Sequence, residues 1–402
     1  YDKQNRLIKT IDPYSNYTET TYNEIGKQTA TRDKNGNITQ YEYDLMGQQK
    51  KVIYPDTSYE EYTYDWNGNR LTTKDRNGNI TTYQYDNLNR VVKVIYPDNS
   101  FTTNEYDSAG RIIATTDANG NTTTYEYDNA GRRTKVIQPS TLVGDGGGEG
   151  AITTYTYDAA GNQTSMTDAL SHTTQYKYDA LNRQVRIIYA DGTQSTTEYD
   201  SLGRKVMSSD QAQVPTYYTY DLLGRLITVS LRAEGEAIST TYTYDELGNR
   251  LTQTDANTHT TSFEYDKLGR LTKKTLPMGQ FETNDEYDPN GNIILKTDAN
   301  GQKTRFAYDS NNRLLSKDYA DNGTLDIEYT YHTTGEKKSM TDHHGITTYQ
   351  YDSRGRLTHT TYPGGRNIDY EYDANGNQTS SLEKDVDSTI IQSEVKTYDT
   401  LN

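Results

Sequence analysis

The chain has 402 residues, 41 Lys and Arg against 57 Asp and Glu, a formal net charge of −16 and no cysteine. That balance excludes a general nucleic-acid binder, which needs a basic footprint, and the absent thiols exclude a disulfide framework and thiolate chemistry. With 31% hydrophobic residues and a mean hydropathy of −1.01, an aperiodic chain would read as disordered.

This chain is strongly periodic. Tyr1-Asp2, with Asn5 three residues after the aspartate, opens a motif that returns at Tyr22, Tyr43, Tyr64, Tyr85, Tyr106 and Tyr127, a spacing of 21 without slip. After an insertion the series resumes at Tyr157 and continues to Tyr398, giving 19 copies and 18 complete intervals. Seventeen copies read Tyr-Asp; the exceptions are Tyr22-Asn23 and Tyr331-His332. A period between 20 and 50 residues marks a repeat architecture, and here it covers the whole chain.

Each letter of the motif has a local reason. The copies at Tyr43-Asp44 with Gly47, Tyr64-Asp65 with Gly68 and Tyr127-Asp128 with Gly131 place Gly three residues after Asp. Tyr220-Asp221 with Gly224-Arg225 and Tyr265-Asp266 with Gly269-Arg270 add the following arginine. The Gly position holds Asn in five copies, and these are the two residues that enter the left-handed region most cheaply. Asp first and Gly fourth describe a type I turn. The Tyr-x-Tyr before it, as in Tyr41/Tyr43 or Tyr242/Tyr244, alternates with strand periodicity. A run such as Leu226–Val229 follows as a second strand, so the motif is a hairpin corner.

Between corners a second turn is expected, in two versions that alternate. One is Asp-x-Asn-Gly-Asn, at Asp33–Asn37, Asp75–Asn79 and Asp117–Asn121, with Asn-Gly as the hairpin signal. The other is Tyr-Pro-Asp-x-Ser or a relative, at Tyr54–Ser58, Tyr96–Ser100, Tyr189–Thr193 and Tyr362–Arg366. Each unit is then two strands and two turns, 18 intervals predict 36 strands, and no segment keeps a helical period. The fold class is all-β. The array spans residues 1–402 as one unit, with a Gly-rich insertion near 140–152. It starts on a motif tyrosine and stops at Asn402 inside a turn, so an excerpt of a longer protein is expected.

Composition bears on shape. The aromatic content is 39 Tyr against 4 Phe and 1 Trp, and without the tyrosines only about a fifth of the chain is hydrophobic. That is little for a thick core between two sheets. One continuous sheet, held by cross-strand Tyr, Thr and aliphatic ladders, suits the letters better and must coil or close to manage its edges. Thirty-six strands at about 4.8 Å, rolled into one turn, would enclose a hollow roughly 50 Å across.

Candidate sites are weighed against these turns. Asp-x-Asn-Gly-Asn resembles half a calcium loop but lacks the downstream acid, so a hairpin turn outweighs a structural metal site. The segment Gly144–Gly150 lacks the Gly-Lys-Ser/Thr that would hold phosphate and reads as a loop. Asp342, His343 and His344 could ligate a metal but occupy a turn slot. The arginines after the turn are expected to pair with carboxylates on neighbouring strands. No Ser-His-Asp, Cys-His or Gly-x-Ser-x-Gly arrangement is present, so no catalytic, cofactor or metal site is assigned. The longest aliphatic stretches, such as Val52–Tyr54, are far too short to span a bilayer.

Tyr-Asp-x-x-Gly-Arg-Leu at about 21 residues, interleaved with Asp-x-Asn-Gly-Asn, resembles the YD (Rhs) repeat over essentially the whole chain. The resemblance implies kinship with bacterial Rhs polymorphic toxins, shell components of insecticidal Tc toxins, wall-associated toxins and the ectodomain of teneurins. It implies a long β-sheet spiralling into a hollow shell, which in the toxins encloses a C-terminal toxic domain. The family's self-cleaving aspartyl-protease-like segment is missing, since Asp288-Pro289-Asn290-Gly291 is another corner, and no family catalytic residue carries over. The expectation is a non-enzymatic shell segment of a secreted or surface protein, most simply bacterial, whose partner is a C-terminal effector of the same polypeptide or further repeats. The alternative is an adhesive stalk, tube or filament that binds surface glycans or proteins.

Overall fold

A computed structural model describes residues 1–139, 150–233, 236–320 and 322–398. Gly144–Gly150, except its last residue, and the final corner residues through Asn402 lie outside the described residues. Among the described residues thirty-six strands run from β1 (Lys9–Ile11) to β36 (Ile390–Val395), as the interval count predicts. Each pairs antiparallel with the next in sequence, making one continuous meander. Among the described residues the one other element is a 3-10 turn at Pro363–Gly365.

Each corner tyrosine from Tyr22 to Tyr372 closes a strand at a register slip. Between β4 (Ile38–Tyr43) and β5 (Gln49–Ile53), Glu42 faces Lys51 but Tyr43 faces Gln49. Between β20 (Pro215–Tyr220) and β21 (Leu226–Ala233), Thr219 faces Thr228 but Tyr220 faces Leu226. One residue is thereby left out of each ladder, a β-bulge that adds twist at the same place in every repeat.

The two faces of the sheet differ. In β6 (Tyr59–Tyr64), Tyr62 and Tyr64 are half-buried while Glu61 and Thr63 are exposed. Thr63 Oγ1 lies 2.6 Å from Thr72 Oγ1 of β7 (Arg70–Lys74), one rung of a hydroxyl ladder. The buried hydrophobic residues among those described are Val52, Ala114, Phe263 and Leu295. So few belong to a single coiled sheet rather than to a sandwich.

The coil is visible as hydrogen bonds between residues 253 to 258 apart. They bring the turn after β26 (Phe281–Tyr287) onto the turn before β4, so one winding takes the 23 strands from β4 to β26. At about 4.8 Å per strand the circumference is roughly 110 Å and the hollow about 35 Å across. It is narrower than a single roll of all the strands, because the sheet overlaps itself: about half of a second winding lies on the first.

Candidate functional surface: the corners and the seam between windings

The corner is built from one aspartate. Asp221 Oδ1 accepts from the backbone N–H of Leu223 (3.0 Å) and of Arg225 (2.8 Å), and its Oδ2 accepts from Arg225 Nε at 2.6 Å. Gly224 closes the turn by donating to the Asp221 carbonyl, at φ +82°. Asp128 and Asp266 repeat the geometry with Arg132 and Arg270. Asp65 substitutes the Asn69 side-chain amide for the guanidinium. At Asp44 the two backbone donors are Met46 and Gln48. The backbone N–H of Arg225 and of Arg132, with the side chains of those arginines, holds Asp221 and Asp128 below the ordinary carboxylate value of 3.8.

The expected pairing of the motif arginine with neighbouring-strand carboxylates is corrected. Its carboxylate partner is the aspartate of its own turn, which a four-residue separation across a tight turn places closest; Arg313 and Arg356 add a second carboxylate, Asp56 and Asp98, from the earlier winding. Its remaining N–H groups reach onward: Arg225 Nη1 donates to the Asp245 carbonyl of the next corner at 2.6 Å, and the guanidinium lies 5.0 Å from the Tyr244 ring. Arg204 does the same toward Asp221 and Tyr220. The corner tyrosine in turn donates its hydroxyl to a main-chain carbonyl of the preceding repeat. Tyr43 reaches Gln28 (2.7 Å), Tyr64 reaches Gln49 (2.8 Å) and Tyr127 reaches Ile112 (2.7 Å). Tyr220 and Tyr265 reach Lys205 (2.8 Å) and Arg250 (2.9 Å). Tyr, Asp, Gly and Arg thus form a relay from corner to corner. Neither link is local in sequence, and nothing in a single repeat announces them.

The second set of turns has the same hydrogen-bond frame. Asp33 N–H donates to Asn37 and Gly36 N–H to Asp33, as Tyr54 N–H does to Ser58 and Thr57 N–H to Tyr54. The left-handed position falls on Gly36 in one version and on Thr57 (φ +67°) or Asn99 (φ +65°) in the other. Asp33 Oδ2 is occupied by amide donors from Asn37 (2.9 Å) and Asn290 (2.8 Å), which fill the lone pairs a cation would need.

The alternation of turns becomes an alternation of seam chemistry. Where Asp-x-Asn-Gly-Asn meets a later corner, side-chain amides are exchanged. Asn35 Nδ2 donates to Asp288 (2.9 Å) while Asn290 Nδ2 donates to Asp33. Asn119 Nδ2 donates to Asp373 (3.0 Å) while Asn375 Nδ2 donates to Asp117 (2.7 Å). Where Tyr-Pro-Asp-x-Ser meets a corner, its aspartate takes cations. Asp98 lies 3.4 Å from Arg354 and 3.3 Å from Arg356, and Arg354 stacks 4.3 Å from the Tyr96 ring. Asp56 binds Asn311 at 2.6 Å and faces Arg313 at 3.6 Å.

One corner departs from the pattern. His332 and Glu336 stand where the other corners, apart from Asn23–Lys27 and Asp44–Gln48, have Asp and Arg or Asn. They line a seam cavity of about 380 Å³ with Asp75, Asn77, Tyr96 and Arg354. The His332 ring stands edge-on to Tyr351 at 5.8 Å, and its buried Nε2 has no hydrogen-bond partner. Separately, Asp342, His343 and His344 form the tip of the hairpin between β31 (Lys337–Asp342) and β32 (Gly345–Tyr351), with ligand atoms within 4.8 Å of one another. Both histidines are exposed there, so the tip could hold a divalent cation only in the open.

Comparisons with known proteins agree with this geometry. A family model described as RHS Repeat matches residues 22–59, 62–100, 106–143, 147–173 and 157–194. One described as Teneurin YD-shell matches 204–331 and 255–393. No curated protein sequence matches. A crystal structure of TcdB2-TccC3-Cdc42 superposes with a TM-score of 0.67 at 17% identity, over 96% of this chain and 23% of that one. A Photorhabdus luminescens Tc holotoxin pore carrying TccC3-D651A gives 0.55 at 17% identity, over 94% and 22%. The chain therefore spans about a quarter of the length of these structures' chains, and at this identity the likeness is one of fold.

Proposed function

Because the chain belongs to the YD-repeat (Rhs-repeat) family, we propose that it is a shell segment enclosing an effector carried C-terminally on the same polypeptide, in a secreted or surface protein. The observation that carries the reading is the seam: six successive turns of the first winding meet six successive corners of the second, from Tyr14 beneath Arg270 to Asn119 beneath Asp373. A ribbon clasped to itself at every turn makes a wall without slits, which a container needs and a flexible stalk does not. The wall is polar, rich in Tyr and Thr, and suits a chain held without grip on any one hydrophobic sequence. We assign the segment no catalytic step; chemistry, in this reading, belongs to what it encloses.

The test is the native parent polypeptide: intact mass, peptide mapping past residue 402, and protease digestion of the folded particle. A cleaved fragment of unrelated composition, retained with the repeats and resistant to protease until the shell is denatured, is the expected result. One uncleaved chain of further repeats with nothing enclosed would overturn it and leave an adhesive surface protein.

A further inference from the structure

The corner rim of the first winding differs chemically from its continuation in the second. Two residues after the corner aspartate, the second winding carries Asn290, Asn311, Thr334, Arg354 and Asn375, each bonded across the seam. At the same position the first winding carries Ile25, Met46, Leu88, Leu181, Leu202, Leu223 and Leu247, all exposed, on two runs of corners separated by the three that carry Ala109, Ala130 and Ala160. The change falls where the seam begins: Leu247 is 80% exposed, while Leu268, on the first corner that reaches the earlier winding, is half-buried. The neighbouring position adds Leu45, Trp66 and Leu222 at 108%, 90% and 105%. Ten large hydrophobic side chains thus stand on one rim in two arcs of four corners each, the corners within an arc two strands or about 10 Å apart. Soluble monomers rarely leave such a patch uncovered.

We infer that this rim is a docking edge for a second copy of the chain, placed rim to rim about a two-fold axis. The seam already shows that rims are the edges on which this fold docks, and the exposed rim continues the docked one. A copy stacked head to tail would offer its opposite free rim, whose turns carry Ala190-Asp191, Ala256-Asn257 and His343-His344, with Leu170, Met278, Tyr319, Leu325 and Val386 as the large exposed apolar groups among its described turn residues. An apolar edge of ten such groups is matched better by itself than by the five of the opposite rim, and this is the isologous case. Ten side chains burying roughly 80 Å² each give about 800 Å² per copy, the size of a standard stable interface. Two open coils meeting mouth to mouth enclose one longer hollow, whatever that hollow contains.

Light scattering and sedimentation of the chain between about 1 and 100 μM decide it. We expect a particle of twice 45.7 kDa. The exposed-site variant Leu45→Asp/Leu223→Asp, with unchanged circular dichroism, should raise the dissociation constant at least a hundredfold. Leu170→Asp/Met278→Asp on the opposite rim should leave it unchanged. A monomer throughout the range overturns the proposal and assigns the rim to a different protein. A dimer that survives the first variant and is lost in the second overturns it in favour of head-to-tail stacking.

Discussion

Asn290 donates its side-chain amide to Asp33, 257 residues earlier, at 2.8 Å, and with that bond the second winding rests on the first. The reciprocal bond from Asn35 to Asp288 makes the contact two-sided, so neither amide is left unpaired.

Loss of one clasp should be measurable. Asn375 uses both ends of its amide, donating to Asp117 and accepting from the N–H of Ala118 (2.9 Å) and Asn119 (3.2 Å). Asn375→Ala removes these bonds and should cost about 1–2 kcal/mol, the usual net value of one or two partly buried hydrogen bonds. Asn290→Ala should cost somewhat less, and the two clasps are far enough apart to add. Denaturant unfolding of the single and double variants checks this. No loss in the double variant would mean that the windings are held by sheet curvature alone.

The hydroxyl of the corner tyrosine is a second test. Tyr220→Phe keeps the ring under Arg204 but deprives the Lys205 carbonyl of its donor. A loss of about 1 kcal/mol is expected, and a similar loss for Tyr127→Phe at Ile112. Equal stability of the phenylalanine variants would reduce the tyrosine to a packing residue.

These two contacts mark the line between what the letters disclose and what they do not. The period, the hairpin corners and the strand number are legible because each is local: Asp221, Gly224 and Tyr220 lie within five residues and answer to turn and strand chemistry. Arg225 is expected on neighbouring strands, although its four-residue separation across the turn already places the Asp221 carboxylate nearest; what the spacing does not tell is the onward reach of its Nη1 to the Asp245 carbonyl. The winding number is invisible for a deeper reason. It depends on small equal twists summed over 23 strands, and no single residue encodes it. A signal did exist in the change from Leu268 to Asn290 two positions after the aspartate, but it has meaning only once the seam is known. The Gly-rich insertion and the final corner fall outside the described residues.

Acid should loosen the coil. Asp98 is partly buried, which works to raise its pKa, but the hydroxyl and N–H of Ser100 and the charge of Arg354 outweigh this and hold it below 3.8. Asp56 is lowered in the same way by Ser58, Arg76 and Asn311. A carboxylate lowered on folding contributes stability that is complete above its unfolded value and is lost as pH falls through its folded one. The urea midpoint should therefore be flat from pH 7 to about 5 and fall below about pH 4. Asp98→Asn should be less stable than the parent at pH 7 and converge with it near pH 2. A constant gap down to pH 2 would show that the Asp98 charge contributes nothing to the seam.

The departing corner gives the sharpest test of the relay. His332→Asp alone would place a carboxylate beside Glu336 with no cation between them, and should destabilise by about 1 kcal/mol. Glu336→Arg added to it rebuilds the pattern of Asp352 and Arg356, in which arginine binds its own aspartate at 2.6 Å and the next corner's carbonyl at 2.9 Å. The new guanidinium would lie over Tyr351, where the His332 ring now stands, and the orphaned Nε2 would be gone. The double variant should be at least as stable as the parent chain, so that the second substitution recovers more than the first loses. A double-mutant cycle from unfolding midpoints measures the coupling. A coupling near zero would mean that the corner letters act independently, and the relay from repeat to repeat would have to be abandoned.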